Sequence, residues 1–282
     1  MKYGPIETLP IETARVALTV FNSGEPYIVL GDCISQILGD LPFKDLTNGL
    51  SSPSGSHVLL AMVTVMEYAE KFTDSQASEA ARVRIDWKYA LHLPLVYPWI
   101  HPQGLCEFRA WMRLNEPAQQ VFQQILDRLD SCEALKGRLD LPRDATQTID
   151  EICDRNRLMS VGSAMGRTLE SIAACRPDWL RKAALPHWFE RYVRMSFQQY
   201  LPYSQETLEV QACSIGKDAL YLLEAIAKTE DSCLSSSPES QELFKIWQQQ
   251  FHGEQGDVKW RLNGCSRCSR LSAKQWIDQE VP

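Results

Sequence analysis

The chain has 282 residues, 44% hydrophobic and 23% charged, with 14 glycines and 15 prolines. That balance excludes collagen-like and low-complexity disordered classes and leaves room for one large domain or two ordinary ones. The formal net charge of −7 is the wrong sign for a protein that coats nucleic acid by charge alone, so any phosphate contact has to come from local clusters.

The longest apolar run, Val58 to Met66, is far short of the ~20 residues that cross a bilayer. The first residues lead into no signal-peptide core, so a soluble cytoplasmic protein with no membrane contact is expected. Charge is uneven along the chain: net −5 over 1–142, +2 over 143–200, −7 over 201–258 and +3 over 259–282. The nine cysteines are odd in number and thinly spread, which points to reduced thiols rather than a disulfide framework.

Residues 1–56 read as a leading arm of short helices and irregular chain, broken at Gly24-Glu25-Pro26, Gly39-Asp40 and 51–56. His57 to Phe72 is apolar on most faces and reads as a buried helix. Thr73 and Gln76 have capping-box spacing, so a second helix is expected from Ser75 to about Leu91, the two forming a helix-turn-helix-like pair. Pro94, Pro98 and Pro102 interrupt the chain, then helices follow over 104–113 and, after Pro117, over 118–136, stopped by Gly137. Arg138-Leu139-Asp140-Leu141 alternates as a short strand does. Further helical patterns cover 148–174, an aromatic stretch from Trp179 to Phe197, 206–228 and 243–251, with a loop at 235–238.

No P-loop, G-x-G-x-x-G, G-x-S-x-G or H-E-x-x-H motif is present. Cys265 and Cys268 have the spacing of half a zinc site, with His252 upstream, but a closed site needs four ligands. Asp150 and Asp154 share a helix face, as magnesium-binding acids do in some helical enzymes, and equally suit a solvated face beside Arg155 and Arg157. Asp144 lies between the expected strand and a helix, where it suits a metal-binding acid or an N-cap. Basic residues Arg82, Arg84 and Lys88, then Arg109 and Arg113, interleave with Trp87, Tyr89, Trp99 and Trp111. They are the candidate DNA-phosphate contacts, weighed against a plain amphipathic helix carrying Glu79, Asp86 and Glu107.

The run Tyr68 to Leu95, followed by Leu105-Cys-Glu-Phe-Arg109, resembles the N-terminal domain of InsH-like bacterial insertion-sequence transposases. The likeness continues through Arg143 to Thr146, Asn156-Arg157-Leu158, Pro177 to Leu180, Arg191-Tyr192, Ile215 to Leu223, Trp247 to Phe251 and Val258 to Arg261. In that family three acids of a ribonuclease-H-like core hold two divalent metals that activate the attacking oxygen and stabilise the leaving one. The resemblance implies that Asp144 is the first acid and Mg2+ the metal. The other two acids belong beyond the part matched. Arg143 stands where the family has Thr, and Tyr97 to Ile100 and Ala110 to Met112 also depart from its pattern.

The expectation is therefore a mainly α protein. Residues 57–137 form a helical DNA-binding domain, 138–258 an incomplete ribonuclease-H-like core with helical segments, and 259–282 a basic tail. Its expected function is that of a truncated transposase-related protein binding double-stranded DNA at transposon ends. Two alternatives stand beside it. One is a non-catalytic protein docking a full-length transposase or a second copy of itself, with Trp247 and Phe251 as anchors or as core. The other is a transposase active once a second chain supplies the missing acids.

Overall fold

A computed structural model describes residues 8–39, 41, 57–194, 205–229, 231–254 and 257–261. Among them are thirteen α-helices and two short strands, so the protein is mainly helical, as the periodicity predicts. None of these helices is long and apolar enough to cross a membrane. The chain divides into two compact units, 1–152 and 153–282.

In the first unit, α1 (Ile11–Val20) and α2 (Pro26–Leu38) belong to the core. Ala17, Ile28 and Tyr89 pack together and are almost fully buried. The Thr13 hydroxyl donates to the Leu93 carbonyl at 2.8 Å, and the Tyr89 hydroxyl donates to Asp32 at 2.7 Å. Thus α1 and α2 are pinned to the segment 85–93 by both packing and hydrogen bonds.

Helix α3 (His57–Ala69) is buried around most of its circumference, from Leu59 through Met66. Apolar residues on all sides leave such a helix no face to give to solvent. It packs against α4 (Asp74–Val83) and α6 (Pro102–Leu114). The capping box read from Thr73 and Gln76 is formed: Thr73 accepts from the Gln76 backbone N–H, and the Gln76 side chain accepts from the Thr73 N–H at 2.9 Å.

The single helix expected from Ser75 to Leu91 is two. Arg84 is extended (φ −80°, ψ 124°), ending α4 and starting α5 (Ile85–Ala90). Its guanidinium is held between Glu70 at 2.8 Å and Asp86 at 2.5 Å, anchoring the side chain while the backbone changes direction. Pro102 opens α6 and Pro117 lies in the first turn of α7 (Glu116–Asp130), where a missing N–H costs nothing. Helix α7 stops at Asp130, before a short 3-10 turn at Glu133–Leu135.

The strand expected at 138–141 is absent; those residues are turn and irregular chain. Leu139 and Leu141 are half-buried while Arg138 and Asp140 are exposed, so the alternation reflects an irregular chain lying over a surface, not strand pairing.

Helix α8 (Ala145–Cys175) contains the division between the units. The second unit continues with α9 (Pro177–Ala183), α10 (Pro186–Trp188), a π-helical turn at Phe189–Arg194, α11 (Gln205–Ala227), α12 (Ser232–Ser235) and α13 (Pro238–Gln250). Strand β1 (Phe251–His252) then pairs antiparallel with β2 (Lys259–Trp260). Met165, Trp188, Ala212, Leu222, Leu243 and Phe251 lie within the unit's core. Removing each large side chain from water contributes roughly 1.5–3 kcal/mol.

Candidate functional site

The five cations expected to meet phosphate are distributed differently from that expectation. Arg109 is 1% exposed, its Nη1 donating to Glu67 at 2.9 Å and its Nη2 to Asp74. Lys88 is also buried, and its ammonium donates to the Leu95 carbonyl. Burial, with the Arg82 charge second, pushes the Lys88 pKa down. Neither side chain reaches a ligand outside the fold, so both are corrected from DNA contacts to internal cross-links.

The other three lie nearer the surface, each matched by an acid. Arg82 is half-exposed and forks onto Glu79 at 2.7 and 2.8 Å. Arg84 is a third exposed and also lies over the rings of Tyr27 and Trp87 at 5.3 and 5.6 Å. Burial opposes its charge, but the hydrogen bonds it donates to Asp86 and Glu70 outweigh that and raise its pKa. Arg113 pairs with Asp150.

Asp144 is exposed and serves as the N-cap of α8, accepting the Gln147 backbone N–H at 2.7 Å. Gln123 holds the backbone on both sides of it, donating to the Arg143 carbonyl at 2.8 Å and accepting the Ala145 N–H at 2.9 Å. A polar cavity of about 620 Å³ lies beside it, lined by Tyr68, Lys136, Asp140, Arg143 and Asp144 among others. Asp140 is committed to Lys71 at 2.7 Å.

Among the described residues no three His, Cys, Asp or Glu side chains are gathered to hold a metal ion. Asp144, the acid that the resemblance assigns to a metal, is engaged as a helix cap, and no other acid is gathered with it among the described residues. Asp150 is committed to Arg113, and Asp154 pairs with Arg157 at 2.7 Å. Cys265 and Cys268 lie outside the described residues, as does most of the basic tail.

Several residues that carry the resemblance meet inside the second unit. Arg157 donates to the Gln250 side chain and the Arg261 carbonyl, both at 2.6 Å, and stacks over Trp260 at 4.6 Å. Trp247 donates to the Gly216 carbonyl at 2.9 Å. A β-carbon on Gly216 would stand 2.7 Å from the Phe251 ring, so glycine permits the hairpin to lie against α11. Asp218, buried beside it, accepts from Arg191 at 2.6 Å and Tyr192 at 2.8 Å, and lies 3.1 Å from His187 Nε2. Burial first, then the Asp218 charge, raises the Tyr192 pKa. The sequence offers no candidate role for Asp218; its signals are an acid inside an apolar helical pattern and the presence of Arg191, Tyr192 and Asp218 in the runs that carry the resemblance.

Between α11 and α13 is an apolar cleft of about 430 Å³, lined by Leu220, Leu223, Ile226, Phe244 and Trp247 among others. Phe244 is half-exposed there, whereas Phe251 is fully buried. Phe251 is thus core, and of the two expected anchors Trp247 alone lines an open surface. Comparisons with protein-family models, curated proteins and solved structures match nothing.

Proposed function

We propose that the chain is a transposase-related protein that binds duplex DNA without cutting it unaided. The observation that carries the reading is the Arg109–Asp74 pair. It joins two segments, 68–95 and 105–109, whose residues resemble the transposase N-terminal domain.

DNA contact falls to Arg82, Arg84 and Arg113. The exposed Arg82–Glu79 pair contributes only about 0–1 kcal/mol, so a phosphate can displace that carboxylate at little cost, whereas Arg84 and Arg113 are part-buried and exchange their acids less readily. Asp144 by itself organises no pair of metals, which is why binding rather than cleavage is proposed.

The test is a gel-shift titration with duplexes from the DNA flanking the gene. Three phosphate contacts give a log affinity against log salt slope of about −3, and replacing the three arginines with alanine should bring it towards zero. If folded protein fails to shift these duplexes at low salt, the proposal is lost; strand cleavage in Mg2+ by the purified chain overturns its non-cutting part.

The apolar cleft with half-exposed Phe244 favours a second reading, a protein that docks a full-length transposase there. Co-purification with that transposase, lost in Phe244→Asp but retained with the DNA-contact arginines removed, distinguishes it.

A further inference from the structure

Helices α11 and α13 pack side by side within the second unit, and each turns residues at helical spacing into the apolar cleft between them. From α11 these include Leu220, Leu223 and Ala227, and from α13 Phe244 and Trp247. Trp247 is a fixed floor: its indole donates to the Gly216 carbonyl and stacks on Phe251 with ring centroids 6.2 Å apart. Phe244 instead stands with 48% of its surface exposed. One patch thus holds an apolar hollow of about 430 Å³ and, beside it, a phenyl ring left in water.

The two walls carry opposite charges. Glu224 lines the cleft from α11 and Lys245 from α13. Lys245 is exposed and forms no ion pair among the described residues, because Glu242, the acid nearest to it along α13, is taken by Arg167 at 3.0 Å. Lys228 approaches Glu224 only to 4.0 Å and is itself 78% exposed, so that contact is weak and open to exchange. A small apolar ligand would fill the hollow yet leave Phe244 in water and Lys245 without an acid.

We propose that this face is where two copies of the chain meet, about a two-fold axis that seats the Phe244 ring of each copy in the cleft of the other. Such a contact sets one patch against itself, so the patch has to carry both halves of every interaction it makes. This one does, offering ring and hollow, acid and base. Covering the rings and the cleft walls removes apolar surface from water and drives the association. Glu224 of each copy faces Lys245 of the other, and these two symmetric pairs at the edge of the apolar centre fix the register.

The purified chain is tested alone, which keeps the result separate from co-purification of a transposase. Sedimentation velocity up to about 100 μM, a hundredfold above a micromolar dissociation constant, should show a species of twice the 32.1 kDa chain mass. Glu224→Lys opposes lysine to lysine at both symmetric contacts, and Lys245→Glu opposes acid to acid. Each variant by itself should associate at least about tenfold more weakly. An equimolar mixture of the two restores both pairs and should recover the dimer, which variants that had lost their fold could not do. For the wild type, carbodiimide coupling of isotope-labelled with unlabelled chains should give a peptide joining Glu224 of one label to Lys245 of the other, a readout that needs no variant. A chain still monomeric at the highest concentration, or a dimer indifferent to both charge reversals, would overturn the proposal.

Discussion

Arg109 shows how a single residue's role is set by groups far away in sequence. Its acidic partners lie 42 and 35 residues upstream, beyond any local pattern. A signal is nonetheless present: Arg109 shares the spacing of Leu105, Phe108 and Met112, so it falls on the apolar stripe of α6 where solvated arginines are rare. Truncating one partner of a buried pair leaves the others uncompensated, so Arg109→Met should destabilise the protein by about 3–5 kcal/mol. Urea unfolding followed by circular dichroism measures this, and the cost should be independent of DNA. Lys88 is similarly marked by its neighbours Trp87, Tyr89, Ala90 and Leu91, all buried.

His57 supplies the pH test at this scale. It is buried against Trp111 and Phe108, with ring centroids 4.6 and 5.9 Å away, and burial lowers its pKa from the ordinary 6.5. Because the unfolded chain takes up this proton more readily than the fold does, the contribution is fully present above about pH 6.5. It is lost as pH falls through that value towards the lower folded pKa. Denaturant midpoints measured from pH 7.5 to 5 should therefore drop more steeply for wild type than for His57→Gln; parallel curves would refute the assignment.

Among elements, what the sequence made legible was local. Thr73 and Gln76 are three apart and the capping box forms; Pro102 and Pro117 open helices as their missing N–H groups suggest. The Arg84 side chain at the break is held partly by Glu70, fourteen residues earlier, a partner that no periodicity within 75–91 reports. The 251–252 and 259–260 hairpin escapes for a different reason, since two-residue strands are too short to alternate. At 138–141 the opposite error arises, because half-burial over a cavity imitates a strand's pattern. Gly216 fixes where the hairpin sits on α11, so Gly216→Ala forces the Phe251 ring to move and should cost roughly 1–3 kcal/mol. A melting temperature unchanged from wild type would show that the hairpin yields freely.

Considered as a whole, a chain of net charge −7 with two of its five candidate cations interred and three matched by acids has little attraction for nucleic acid at a distance. Any DNA binding it has should be short-range, built on exchange of acid for phosphate at a few arginines, and lost early as salt rises. The mainly helical class was readable from composition and periodicity; the candidate site was not, because surface exposure of a cation is decided by tertiary packing.

Gln123 gives the start of α8 a property with practical reach. It grips the main chain on either side of Asp144, and the helix asks of that residue only an oxygen acceptor. Asparagine supplies one equally well, so the negative charge at position 144 can be removed while the cap is retained. Shape and charge are uncoupled there, which makes it a place where chemistry can be interrogated without disturbing the architecture that frames it.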